Sequence, residues 1–528
     1  GSEGMNKKIF SLVSTIALTL SVSSYADSTA KSNSYLSAPT YGITHFDSSQ
    51  SDMFPNAVKS GEFNVDLKKY PQVTGGPVNI ITLASTSKDY MWGVSSQGVT
   101  YINVADGNFK EVSRFNFPGV KVVTADMENK ILRQNFTSVD QVEKAVKNVY
   151  GFDFYRLYNG IYSVVDNQNV VYANFGTTSI KIQALGLKNP KDPKSGIVAL
   201  RTLDVSKFLD KDELIAGLGM TYDGKLVIAG GHSITVIDRD FKEAPQTVKF
   251  DSDENATNSI AVDEKNGIYL ATDKYMRKVV WTGTKLSQDE KDGAWKSEYE
   301  TSEEPPAIKV GKGTGSTPTL MGFGDDEDKL VVITDGAERM NIVAFWRDKI
   351  PAGFKQQAGT KSNRIAGQMQ ITAGLPKNTK WVQSEQSVVV KGYGAFVVNN
   401  MIPEAPKDKL VALLSIGPVI DTPHGAERLE WNPKTHSWKS IWVRSDVTSI
   451  STVPSLSGPS NIVFINGYYK DSGWEVTGMD WNTGKTVHRS IFGKDNFGNG
   501  AYAIMQFLPN GDLLFNSIAG PIRIDFSK

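Results

Sequence analysis

"GMTYDGKLVIAGGHSITVIDRDF", Gly219 to Phe241, decides the fold. Its apolar residues fall into three short runs. Asp223-Gly224 separates the first two, and Gly230-Gly231-His232 separates the last two. Asp-Gly between such runs is the signature of a tight hairpin turn. Paired glycines let the chain reverse a second time at little steric cost. The stretch reads as strand, turn, strand, break, strand.

The same order returns along the chain. Residues 257–281 read NSIAV, DEKNG, IYLAT, DKYM and RKVVW. Residues 316–347 read STPTLMGF, GDDEDK, LVVIT, DGAERM and NIVAFWR, and the C-terminus ends AYAIMQF, LPNGD, LLFNSI, AG, PIRIDF. Weaker copies begin near Asn79, Phe152, Ser387 and Ser451. Four-stranded sheets repeated around an axis make an all-β propeller, here expected with eight blades. The last unit has only three strands. Glu62 to Leu67, "EFNVDL", has strand alternation and is expected to complete that blade beside Ile522 to Phe526, which would remove an exposed edge. The units exceed the ~40–45 residues of compact blades, so insertions are expected. They are a helical insert near 138–150 with Ser138 as N-cap, a polar excursion from Gln288 to Pro306, and a long loop near 401–424 that carries four prolines.

Composition excludes several functions. The chain has 528 residues, zero formal net charge and no cysteine. No basic stripe alternates with aromatics, so nucleic acid is not an expected partner. Without cysteine there can be no disulfide, thiolate metal site, cysteine nucleophile or c-type haem attachment. Residues 1–4 read as an expression scar. Residues 5–26 read as a secretory signal peptide: Lys7 and Lys8 precede an apolar run from Ile9 to Val22, and Ser24-Tyr25-Ala26 gives a small-x-small cleavage pattern. Cleavage after Ala26 would leave a mature chain with no transmembrane segment, in the periplasm or outside the cell. Residues 27–74 then form an N-terminal segment with the closing strand, and residues 75–528 the propeller.

A propeller gathers equivalent turns onto one face. The breaks between second and third strands collect His232, then Asp273 and Lys274, Asp335 and Arg339, Asn399 and Asn400, and Tyr468. A ring of polar residues around a channel mouth is the expected ligand site. Within it Asp273, Lys274, Asp335, Arg339 and Tyr468 are the expected ligand contacts. Asp335, Asn399 and Asn400 offer oxygens suited to calcium. His232 is the candidate acid–base residue, because an ordinary imidazole titrates near neutrality. Asp251, Asp253 and Asn255 alternate like half a calcium loop, but lack the glycine and distal glutamate of an EF-hand. His45 lies in the N-terminal segment, while His436 and His488 lie in or beside outer hairpins, so four inward histidines for iron are not available. No G-x-S-x-G elbow, P-loop or H-E-x-x-H occurs.

Two stretches resemble known propeller families. Met479 to Ser490, "MDWNTGKTVHRS", is similar to the D-x-x-T-G-K-x-x-W repeat of quinoprotein propellers, with His488 in place of the tryptophan. Ser259 to Thr272, "SIAVDEKNGIYLAT", is similar to the blade repeat of gluconolactonase and strictosidine-synthase-like propellers. The first resemblance implies a quinone-dependent dehydrogenase with repeated tryptophan docking motifs, which this chain does not repeat. The second implies calcium held by channel Glu, Asn and Asp in a six-bladed ring. Both support the fold, and a fold does not by itself set function. The expected function is a binding or scaffold protein holding a small ligand or protein partner on the loop face. The alternatives are a calcium-dependent lactonase or esterase with His232 as base, and, behind it, a quinone-dependent dehydrogenase.

Overall fold

The hairpins read between Gly219 and Phe241 form one antiparallel sheet. Its strands are Ile215–Met220, Leu226–Gly230, Ser233–Ile237 and Gln246–Lys249, paired in that order. The first three are buried throughout, which explains their nearly continuous apolar runs. The fourth is the half-exposed outer strand and is correspondingly polar. The computed structural model describes residues 29–151, 158–176, 179–305, 309–402 and 404–528. The expected signal peptide, residues 5–26, lies outside them.

Sheets of this kind repeat around an axis, and the protein is a β-propeller. Seven sheets carry four or more strands, and a further sheet, Met505–Phe507, Leu513–Ser517 and Gly520–Ile524, has three. The ring therefore has seven complete blades, where eight were expected. The expected closing strand is also placed elsewhere. Gly61–Asn64 runs parallel to Thr486–Gly493, with Gly61 opposite His488 and Asn64 opposite Ile491. Side chains explain the choice. Phe63 lies 5.4 Å from the His488 ring and 4.6 Å from Phe526, and Glu62 pairs with Arg489 at 2.7 Å. The edge of the three-stranded sheet meets a later stretch instead. Val73 N donates to Pro521 O (3.0 Å), Gly75 N to Ala519 O (2.9 Å) and Arg523 N to Pro71 O (3.1 Å).

The N-terminal segment has a second role that its sequence does not announce: it threads the channel and touches the innermost strand of every sheet. Asn33 donates to Met220 O, Ala84 N to Tyr41 O and Val165 N to Gly42 O. Val262 N donates to Ser48 O, Leu320 N to Ser49 O, Val390 N to Ser51 O and Leu456 N to Asp52 O. Asn56 donates to Phe507 O of the last sheet. One group of polar side chains in the plug is satisfied within it. One Asp47 oxygen accepts from Ser49 N and Oγ, the other from Ser51 Oγ. Phe54 anchors the end of the plug, fully buried between Phe464 and Phe507.

Among the described residues three α-helices lie outside the sheets. Helix α1 spans Ala125–Leu132 and α2 Val139–Ala145, capped by Thr124 and, as expected, by Ser138. Helix α3, Lys409–Ser415, is capped by Asp408 and belongs to the long loop near 401–424. Within the polar excursion Gln288 to Pro306, Trp295–Glu298 adds a strand beside Tyr275–Trp281. No helix among the described residues is long and apolar enough to cross a membrane.

Candidate ligand site at the channel mouth

Beside the plug lies a funnel of about 170 Å³. Its wall comes from the segments that lead into innermost strands: Asn79, Tyr158 and Tyr162, Asn258, Lys309, Glu385 and Tyr502. Helix α3 leans over the rim with Lys409 and Leu413, held by Asn499 Nδ2 donating to Leu413 O (3.0 Å). Thr44 and His45 of the plug form part of the lining.

Two ammonium groups share this space. Lys309 is buried and, among the described residues, donates only to the backbone carbonyls of Gly311 and Gly313. Burial pushes it down to about 8, Glu385 opposes the shift, and repulsion from Lys409 adds to it. Lys409 is also lowered by burial, and its ammonium makes no hydrogen bond among the described residues. The funnel carboxylate, Glu385, is already occupied: Tyr502 OH lies 2.9 Å from both oxygens and Ser451 Oγ donates at 2.6 Å. Asn400 Oδ1 accepts from Glu385 N at 2.9 Å and fixes that residue.

A histidine enters the funnel from the plug. His45 is buried and stacks on Tyr162 with ring centroids 5.9 Å apart. Its Nδ1 is 2.6 Å from Asp52 Oδ1, and Asp52 Oδ2 accepts from Ser387 Oγ at 2.6 Å. Burial raises the Asp52 carboxyl, while His45 and Ser387 hold it down.

The residues expected from the sequence lie elsewhere: none of them lines this funnel. His232 sits at its hairpin with Nε2 2.7 Å from Asp210 and 3.5 Å from Glu213. Burial pulls its imidazole down, but Asp210, Glu213 and Asp212 outweigh that and hold it above its ordinary value. These three side chains, Asp210, Glu213 and His232, come close enough for a metal. Their atoms are otherwise engaged, since Lys249 pairs with Asp210 and Glu213 accepts from His232 N and Ser233 Oγ. Asp273 accepts from Asn255 N, Lys274 pairs with Asp253, and Arg339 donates to three backbone carbonyls between Pro376 and Thr379. Tyr468 packs edge-on against Trp474. Asp335 accepts from Ala337 N, Asn341 N and Asn341 Nδ2. Asn399 Oδ1 accepts from Gln383 N and Met401 N. Oxygens that accept N–H groups in this way do not converge on a calcium ion.

The physical reason is radial distance. First strands are innermost, so the segment entering one reaches the axis. A second-to-third turn stands further out, at ~4.8 Å per strand. Polar residues just before first strands were the available signal, as in Thr257-Asn258-Ser259 and Glu385-Gln386-Ser387.

No protein-family model matches the chain. An uncharacterized protein of Archaeoglobus fulgidus is 33% identical over 324 residues, which cover 59% of this chain and 61% of that protein. The chain thus spans less than two thirds of the length of this relative. Among solved structures it is similar to the quinohemoprotein alcohol dehydrogenase of Comamonas testosteroni, with a TM-score of 0.52, 10% identity, and 92% of this chain and 77% of that chain covered. The quinohemoprotein alcohol dehydrogenase ADHIIG of Pseudomonas putida HK5 gives 0.50, 12%, 91% and 76%. The periplasmic gluconolactonase PpgL of Pseudomonas aeruginosa gives 0.40, 11%, 80% and 97%. The quinoprotein kind resembled in the blade repeats thus returns as a likeness of fold.

Proposed function

We propose that the funnel binds a small organic anion, making this propeller a small-ligand protein whose site is the channel mouth. One observation carries the reading: two partly or wholly buried ammonium groups face one cavity with no carboxylate hydrogen-bonded to either. A buried, unpaired cation is costly, and an arriving anion relieves that cost. Tyrosines at 158, 162 and 502 supply flat walls for an aromatic or other planar body.

The calcium-dependent hydrolase finds no support in the hydrogen bonding of Asp335, Asn399 and Asn400. Quinone-dependent chemistry belongs by name to the similar dehydrogenases. In this funnel Glu385 already accepts from Tyr502 and Ser451, and two ammonium groups stand beside it, a charge balance that disfavours a hard cation. Pyrroloquinoline quinone is itself an organic anion and belongs in the test panel. Calorimetric titration with small aromatic and aliphatic carboxylates tests the proposal. Saturable one-to-one binding is expected, weakened about tenfold or more by Lys309→Met or Lys409→Met. Binding that both substitutions leave unchanged would remove the funnel as the site. Dye reduction with the bound quinone would move the reading to a dehydrogenase.

A further inference from the structure

The lysines account for a negative charge, and the plug adds a different demand. With Asp52 ionised and the imidazole neutral, His45 Nδ1–H donates to Asp52 Oδ1 and the lone pair is on Nε2. That Nε2 is buried and has no hydrogen-bond partner among the described residues. The hydroxyl of the adjacent Thr44, also buried, is likewise unpartnered. Both residues line the funnel. Asp47, Ser49 and Ser51 of the plug satisfy one another, and of the plug's unpartnered buried groups those of Thr44 and His45 belong to residues that line the cavity. Buried acceptors are rarely left unmet, and one that lines a cavity marks where a donor arrives.

The arrangement is also rigid. His45 takes a φ of 64°, a left-handed conformation that ring stacking on Tyr162 and the Asp52–Ser387 contacts hold in place. An imidazole fixed at Nδ1 by a carboxylate, with a free Nε2, is a preset hydrogen-bond acceptor. Resting on the anion reading above, we propose that the ligand is a hydroxylated organic acid. Its carboxylate meets Lys309 and Lys409, and its hydroxyl donates to His45 Nε2, with Thr44 Oγ beside it as a second polar contact. The chemical class is then a hydroxy acid rather than a simple carboxylic acid, and His45 is the residue that tells them apart.

Matched probes test this: mandelate against phenylacetate, and 3-phenyllactate against 3-phenylpropionate. Each pair differs by one hydroxyl. The hydroxy acid should bind about tenfold tighter to the unaltered protein. In His45→Phe that preference should fall to near parity, with the affinity for phenylacetate and 3-phenylpropionate kept. Should the variant not fold, the Nε2 nitrogen resonance of His45 in the unaltered protein gives a second reading. It should move on adding mandelate and stay in place on adding phenylacetate. Equal affinity for both members of each pair, with a water meeting Nε2, overturns the hydroxyl contact and leaves the anion site standing. A preference that survives in His45→Phe overturns it too. Failure of all four acids to bind overturns both readings.

Discussion

Lys309 sets how ligand affinity varies with pH. Its ammonium is pushed down to about 8 by burial, so the charge is present below that value and lost above it. Anion affinity measured by calorimetry should fall as pH rises from about 7 to about 9. Lys309→Met should flatten that dependence. His232 belongs to a different account. Its folded value is raised, so its contribution to stability is full below the unfolded value near ~6.5 and fades as pH rises through the folded one. His232→Gln should therefore lower the thermal midpoint more at about pH 5.5 than at about pH 8.5, and leave ligand affinity unchanged. Asp335, pushed up to about 7 by burial, follows the same rule for a carboxyl. Its stabilisation is full below ~3.9 and lost as pH rises through 7, so Asp335→Asn should reduce the fall in midpoint between about pH 5 and about pH 8. At this scale the sequence pointed to His232 because glycines and a hairpin surround it. His45 gave no such sign. Its importance comes from a channel that only the closed ring creates.

Hairpins were legible as elements because each strand is short, apolar and followed by turn residues, as in Leu226–Gly230 and its Asp223-Gly224 turn. The plug was not. Residues around 41 to 52 contain no strand, and Tyr41, His45, Phe46, Gln50 and Asp52 all have positive φ. Such a chain has no periodicity to read, since its partners are backbone groups hundreds of residues away. Its stability rests on a few carboxylates. Asp47→Ala removes the acceptor for Ser49 and Ser51, and should lower the free energy of unfolding measured in urea by about 2 kcal/mol. Close approach matters where segments enter the innermost strands. A Cβ on Gly315 would sit 2.0 Å from Ser384 O, beside the funnel. Gly315→Ala should destabilise by about 2 kcal/mol and weaken anion binding by displacing the neighbouring Glu385.

For the whole molecule, the repeat predicted a ring, and the ring is there. The count and the closure were less legible. Glu62 to Leu67 alternates well enough to be a strand, but alternation does not say which edge it joins. Phe63 and Glu62 found partners at His488 and Arg489 in Thr486–Gly493, and Pro71 to Gly75 met the last sheet through backbone hydrogen bonds. Stability of the assembled ring should depend on the plug as a common spoke. Phe54→Ala, which empties the space between Phe464 and Phe507, should cost about 3–5 kcal/mol and lower the midpoint of a single cooperative transition. A ring whose blades were stable alone would instead lose only local protection from hydrogen exchange. The site is a property of the same closure, because its walls come from segments between Asn79 and Tyr502 that meet only at the axis. A crystal structure of the protein with the tightest-binding carboxylate tests that claim most directly. The account predicts the ligand in the funnel, with its carboxylate between Lys309 and Lys409. A ligand seated on the outer hollow formed by Trp381, Met401 and Pro423, with the funnel filled by water alone, would contradict it.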